Sequence, residues 1–89
     1  MIPGINRIWQ RIMAHEGELF HQIRGGEFKY EVSGASIRPD RTNRLIPRSD
    51  FGTALQFVPL PSTAPLQALQ GPSYIFAILM DPRIRQENW

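Results

Sequence analysis

Glu27-Phe28-Lys29-Tyr30-Glu31-Val32 sets Phe28, Tyr30 and Val32 at alternate positions against Glu27, Lys29 and Glu31. A period of two belongs to a strand with one face buried and the other in water, so the segment predicts a half-buried antiparallel strand. Upstream, Leu19 to Ile23 reads as its partner, and Arg24-Gly25-Gly26 supplies residues that accept positive φ at little cost, as a tight hairpin requires. Downstream, Gly34 marks a second turn and Ala35 to Arg38 a third strand, with Leu45-Ile46 returning as a short fourth. The expected sheet is a three- to four-stranded antiparallel meander, about the minimum that is stable when helices cover one face.

Helices flank this meander on both sides. Ile5, Ile8, Trp9, Ile12 and Met13 recur at helical spacing with Arg7, Gln10 and Arg11 opposite, which predicts an amphipathic helix from Asn6 to about His15. Asn6 is the expected N-cap, and Gly17 lies where a left-handed residue would end the helix. A second helix is expected after Pro47, with Ser49 as N-cap, Asp50 complementing the dipole, and Phe51, Ala54, Leu55 and Val58 on one face. Pro59 and Pro61 stop it. Four of the eight prolines fall between residues 59 and 72, together with Ser62, Thr63 and Gly71, so a long connection follows, with one turn of structure at Leu66 to Leu69.

Tyr74-Ile75-Phe76-Ala77-Ile78-Leu79-Met80 is apolar on nearly every side, and periodicity alone fits a buried helix or a central strand. Ser73 as a cap and Asp81-Pro82 as an exit favour a short helix. Residues 83–89 read as a charged, loosely held tail. The fold class expected over residues 1–89 is therefore a single α+β domain, its meander packed against an N-terminal helix and two short C-terminal helices.

Composition limits what such a chain can be. At 89 residues, 42% hydrophobic and 20% charged, it has the balance of a globular domain with room for one modest core. It contains no cysteine, which excludes disulfides, thiolate metal sites and a thiol nucleophile and fits a reducing compartment. The longest apolar run is far short of the roughly 20 residues of a membrane span. Met1-Ile2-Pro3-Gly4 lacks the basic and apolar blocks of a secretory signal, so no membrane and a cytoplasmic location are expected.

Nine of the ten basic residues are arginine. Codon bias in a GC-rich genome can produce such a swap, but arginine also offers a planar fork of donors suited to phosphate and carboxylate. Arg38, Arg41, Arg44 and Arg48 recur through a polar loop opposed only by Asp40, a local net charge of +3 on a chain of +2. With Thr42 and Asn43 between them and Ser49 at the start of the next helix, they make the candidate site, a row of forks facing phosphates or an acidic partner. Pairing with Asp40, Asp50 or the strand glutamates is the plainer alternative.

Other constellations are weaker. Most aromatic residues sit on faces predicted to be buried, which makes them core rather than stacking platforms, with Trp89 the exception. His15 and His21 have no third ligand at metal spacing, and a Ser49, His21, Asp50 triad can be drawn only on paper. Gly25-Gly26 lacks the spaced glycines and lysine of a phosphate loop. No catalytic residue, metal or cofactor is expected.

The segments Gly26-Glu27-Phe28-Lys29-Tyr30-Glu31-Val32, Arg41-Thr42-Asn43-Arg44 with Ile46, Arg48-Ser49-Asp50-Phe51 with Ala54-Leu55, and Gln70-Gly71-Pro72-Ser73-Tyr74-Ile75 with Ala77-Ile78-Leu79 resemble a family of small uncharacterised bacterial proteins. The resemblance implies a real folded domain and brings with it no activity, cofactor or functional residue. The functional expectation therefore stands on the arginines: a binding module that contacts nucleic acid backbone through the loop from Arg38 to Arg48. The alternative is a protein-interaction or accessory subunit, such as a homodimer, with Tyr74 to Met80 as the apolar centre of the interface and the arginines on acidic groups of a partner.

Overall fold

The computed structural model describes residues 4–86. Helix α1 spans Ile5–Ala14 and buries Ile8, Trp9 and Ile12, the face the periodicity picks out. Its N-cap is Gly4, with no side-chain cap. Asn6 is the second residue of the helix, and its Oδ1 accepts a hydrogen bond from Arg48 Nη2 instead. Gly17, at φ +83°, turns the chain after α1. Its N–H donates to the Tyr30 carbonyl at 3.1 Å, and Glu16 Oε2 accepts from the Val32 N–H at 2.7 Å. The turn after α1 thus covers part of the edge of the strand at Tyr30–Ser33, satisfying groups that would otherwise be open to another chain.

The architecture is α+β, with two antiparallel sheets. Strands β1 (Phe20–His21) and β2 (Glu27–Phe28) pair through Phe20↔Phe28 and His21↔Glu27 around a turn containing Gly25 at φ +89°. Strands β3 (Tyr30–Ser33), β4 (Ser36–Pro39) and β5 (Ile46–Pro47) form the other sheet in that order. The meander expected as one sheet divides at Lys29. There the backbone changes partners, because the Asp40 N–H donates to the Lys29 carbonyl at 2.8 Å and the Lys29 N–H donates to Asp40 Oδ1 at 3.1 Å. The side-chain alternation runs through the break, with Phe28 and Tyr30 both buried.

Helix α2 (Arg48–Ala54) starts one residue before Ser49, with Pro47 as N-cap. Ser49 caps nothing; its carbonyl accepts from Thr53 Oγ1. A 3-10 turn at Leu55–Phe57 continues α2, and Val58, extended before a cis peptide to Pro59, ends it. The connection that follows folds back through a 3-10 turn at Ala64–Leu66, a little earlier than expected, and buries Leu60 and Leu66.

Tyr74 to Met80 lies in a helix, as its flanks suggested, although α3 spans Pro72–Leu79 and its N-cap is Gly71 in the left-handed region rather than Ser73. Pro72 at the first helical position needs no N–H and carries the helical φ already. A Cβ on Gly71 would lie 2.9 Å from Ile46 Cδ1, so the turn into α3 sits directly on β5.

Residues 83–86 are no loose tail. Helix α4 (Pro82–Arg85) is capped by Asp81 Oδ1, buries Ile84 completely, and offers its Ile84 carbonyl to Arg11 Nη1 at 2.8 Å. Arg83 grips Asp81 through Nε and Nη2, both at 2.9 Å, reaches Glu18 Oε1 at 3.0 Å, and lies 3.8 Å over the Phe20 ring. That grip holds the Asp81 carboxyl below the usual range. Hydrogen bonds from His15 and then Arg83 do the same for Glu18.

One core cluster takes residues from all four helices and both sheets. Phe20, Phe28, Tyr30 and Phe51 are buried in it, and Tyr74 meets Phe28 edge-on at 4.9 Å, so aromatic rings pack rather than present stacking faces. Trp89 lies outside the described residues. The Tyr30 hydroxyl donates to the Ile12 carbonyl, joining β3 to α1, and burial pushes its phenol well above the ordinary tyrosine range. Among the described residues no helix is long and apolar enough to cross a membrane.

Candidate functional site

The four arginines of the predicted row do not act as a row. The register Ser36↔Pro47 and Ile37↔Ile46 sets Arg48 at the end of β4 where the chain enters, and the loop 40–45 at the end where it leaves. Arg48 donates from its backbone to the Ala35 carbonyl and from its guanidinium to Asn6, pinning the start of α1 to the start of α2. Arg38 points off the outer face of the sheet, where Nη2 meets Glu31 Oε2 of the facing strand at 2.8 Å. That pair is exposed and adds little stability, but it spends the charge.

Arg41 and Arg44 remain together in the loop, and both turn toward the approach to α3. Arg44 Nη1 donates to Gln70 Oε1 at 3.2 Å. Arg41 Nη1 lies against Gly26, 2.7 Å from the point a Cβ would occupy, and Gln22 Oε1 lies 2.6 Å from the same point. A Cβ there would make the ends of both side chains shift. The other amide atom of Gln22, Nε2, donates to Ser73 Oγ at 3.0 Å. Gln70 thus seats the Arg44 guanidinium through a neutral oxygen, and Arg41 Nη1 and Gln22 Oε1 both lie against Gly26. Arg24, in the turn between β1 and β2, belongs to the same face, because it lines a cleft with Gln22 and Ser73.

The carboxylates of the described residues are engaged elsewhere. Glu16 accepts from Val32, Glu18 and Asp81 hold Arg83, Glu27 faces His21, Glu31 holds Arg38, and Asp40 accepts from Lys29. Asp50 comes nearest the arginines, its Oδ2 accepting from the Gln70 N–H at 3.0 Å. Among the described residues, Arg24, Arg41 and Arg44 have no salt-bridged carboxylate.

The remaining predicted residues have other work. Thr42 Oγ1 accepts from the Arg44 N–H at 3.2 Å, and the Thr42 N–H donates to Pro39, so Thr42 shapes the loop. Asn43 and Thr42 line a cleft of about 380 Å³ with Lys29, Arg38, Glu31 and Asp40, whose charges balance. Ser49 and Arg48 line a separate cleft of about 400 Å³ beside Ile5 and Gly52. Sequence reading missed Arg24, Gln22, Gln70 and Ser73, and only the arginine carried any signal, as a cation in a predicted turn.

His15 Nδ1 meets Glu18 and His21 Nε2 meets Glu27, each at 3.0 Å on the surface. Neither histidine bonds Ser49 or Asp50, so the paper triad is not assembled. Among the described residues no three acids or histidines gather as a metal-ligand set. Helix α3 buries Ile75, Ala77, Ile78 and Leu79 within the chain, while Tyr74, Phe76 and Met80 of the same apolar segment are only partly buried. No protein-family model, curated protein or solved structure matches the chain.

Proposed function

We propose that this chain is a binding domain for the phosphate backbone of nucleic acid, contacting it through Arg41 and Arg44, with Arg24 extending the same face. The observation that carries this reading is that Arg44 rests on the Gln70 amide oxygen and Arg41 lies against Gly26, and neither loop guanidinium is salt-bridged to a carboxylate. A neutral anchor orients the fork and leaves its charge uncancelled, whereas the carboxylates that could have cancelled it are held by other groups. A phosphate oxygen arriving there gains a charge-assisted hydrogen bond without first displacing an acid. Arg38, tied to Glu31, and Arg48, tied to Asn6 at the far end of β4, are outside the contact.

Contacts of this kind position a strand and read no bases, so binding is expected to be indifferent to sequence. Retention on heparin provides a direct test. The intact chain should be retained, and Arg41→Ala/Arg44→Ala should elute at lower salt; equal retention of both proteins would remove the loop from the interface. Light scattering on the same samples addresses the protein-interaction reading, which requires a dimer or larger assembly that ignores heparin.

A further inference from the structure

Beyond Arg41, on the other side of the Gln22 side chain, a cleft of about 440 Å³ is lined by Gln22, Ile23, Arg24, Ser62, Thr63 and Ser73. Its three hydroxyl oxygens share one property. Ser62 Oγ accepts from the Ala64 N–H at 3.2 Å, Thr63 Oγ1 from Gln67 Nε2 at 3.3 Å, and Ser73 Oγ from Gln22 Nε2 at 3.0 Å. A hydroxyl has one proton to give, and among the described residues none of these three gives it to a protein group. The cleft therefore offers three O–H donors together with the Arg24 guanidinium, and no carboxylate lines it. Among the described residues Ile23 is the most solvent-exposed large hydrophobic side chain, at 59%, and it supplies an apolar wall.

We propose that this cleft is a binding site for a phosphate group, gripped by Arg24 and by the hydroxyls of Ser62, Thr63 and Ser73. Donors of one polarity select an anion. A guanidinium fork and three hydroxyls give more donors than the two oxygens of a carboxylate can use, whereas a phosphate group has enough acceptors for them. The volume, in the range of small-molecule sites, accommodates a sugar beside the phosphate, with Ile23 against its apolar side. The site stands on its own donors and does not require the Arg41 and Arg44 contact. Its phosphate can come from a strand running past Arg41 or from a phosphomonoester.

The experiment is an amide NMR titration of the full chain at constant ionic strength with inorganic phosphate, with acetate, with thymidine 5′-monophosphate, and with an oligothymidylate lacking terminal phosphates. Phosphate should shift the amides of Arg24, Thr63 and Ser73 saturably, and acetate should not. Arg24→Ala should weaken that binding by about tenfold or more, as expected for loss of a hydrogen bond to a charged group, while Arg38→Ala leaves it unchanged. Thr63→Val, which keeps the side-chain shape and removes one donor, should weaken it less. Unshifted core amides will show that each variant folds. Shifts produced equally by acetate, absent altogether, or surviving both Arg24→Ala and Thr63→Val overturn the site. If it stands, response to the capped oligothymidylate assigns the phosphate to a strand, and response to the monophosphate alone assigns it to a monoester.

Discussion

Gln22 and Ser73, 51 positions apart, are joined by a hydrogen bond of 3.0 Å from Nε2 to Oγ, and this contact ties the first hairpin to the start of α3. Because Nε2 is committed to Ser73, Oε1 faces Gly26 and Arg41. The same bond leaves the Ser73 proton directed away from Gln22.

Gln22→Ala should therefore disturb the face more than the fold. Losing a half-exposed neutral hydrogen bond costs about 0.5–1.5 kcal/mol of stability, roughly 4–8 °C in Tm per kcal/mol for a domain of this size. Nucleic acid affinity should fall, but by less than in Arg41→Ala/Arg44→Ala, because both guanidinium groups remain and Gln70 still holds Arg44.

Stability should decline at alkaline pH through Tyr30. Tyrosine in an unfolded chain ionises near pH 10, about its ordinary value, whereas the buried Tyr30 hydroxyl keeps its proton to higher pH. Above about pH 10 the unfolded state binds fewer protons, so a contribution that is complete below that pH is lost as pH rises. Tyr30→Phe removes this alkaline decline, and at neutral pH it costs about 1–3 kcal/mol by leaving the Ile12 carbonyl without its partner. Denaturant unfolding between neutral and alkaline pH reads both effects.

At the acid end the sign is the opposite. The Asp81 carboxyl is held below its ordinary value by Arg83, so its contribution is present above about pH 4 and lost as pH falls through the depressed folded value. Asp81→Asn should flatten that limb. Ile84→Ala, at a fully buried position on α4, should cost about 2–5 kcal/mol, which a short helix resting loosely on the surface would not show.

Two glycines separate backbone conformation from close packing. Gly34 and Gly71 both have positive φ, +61° and +57°, which costs an L-residue about 1–2 kcal/mol. A Cβ on Gly34 meets nothing within 4 Å, whereas one on Gly71 meets Ile46 Cδ1 at 2.9 Å. Gly71→Ala should lower Tm clearly more than Gly34→Ala, and should also displace Gln70 and loosen Arg44.

The parts of this fold legible from sequence are those set by short-range patterning. The alternation of Phe28, Tyr30 and Val32, with glycines at Gly25 and Gly34, specifies the hairpins, and the apolar spacing of Ile8, Trp9 and Ile12 specifies α1. Helix starts were misplaced by a residue or two because Gly4, Pro47 and Gly71, without a side-chain oxygen, occupy the caps expected for Asn6, Ser49 and Ser73. Residues 83–86 read as loose because what holds them, Phe20, Glu18 and Arg11, lies more than sixty positions away. The site was half legible for a related reason. A run of arginines shows charge, but whether each guanidinium meets Glu31, Gly26, Gln70 or Asn6 depends on packing between distant segments.

The central claim is that Arg41 and Arg44, and not Arg38 and Arg48, meet phosphates. The most direct measurement is the salt dependence of binding to a labelled duplex, followed by fluorescence anisotropy, for the intact chain and two double variants. Each phosphate contact contributes about −0.9 to the slope of log K against log salt. Arg41→Ala/Arg44→Ala should make the slope shallower by about two units while Arg38→Ala/Arg48→Ala leaves it unchanged. Equal slopes for the intact chain and Arg41→Ala/Arg44→Ala, or equal losses in the two double variants, would contradict the account.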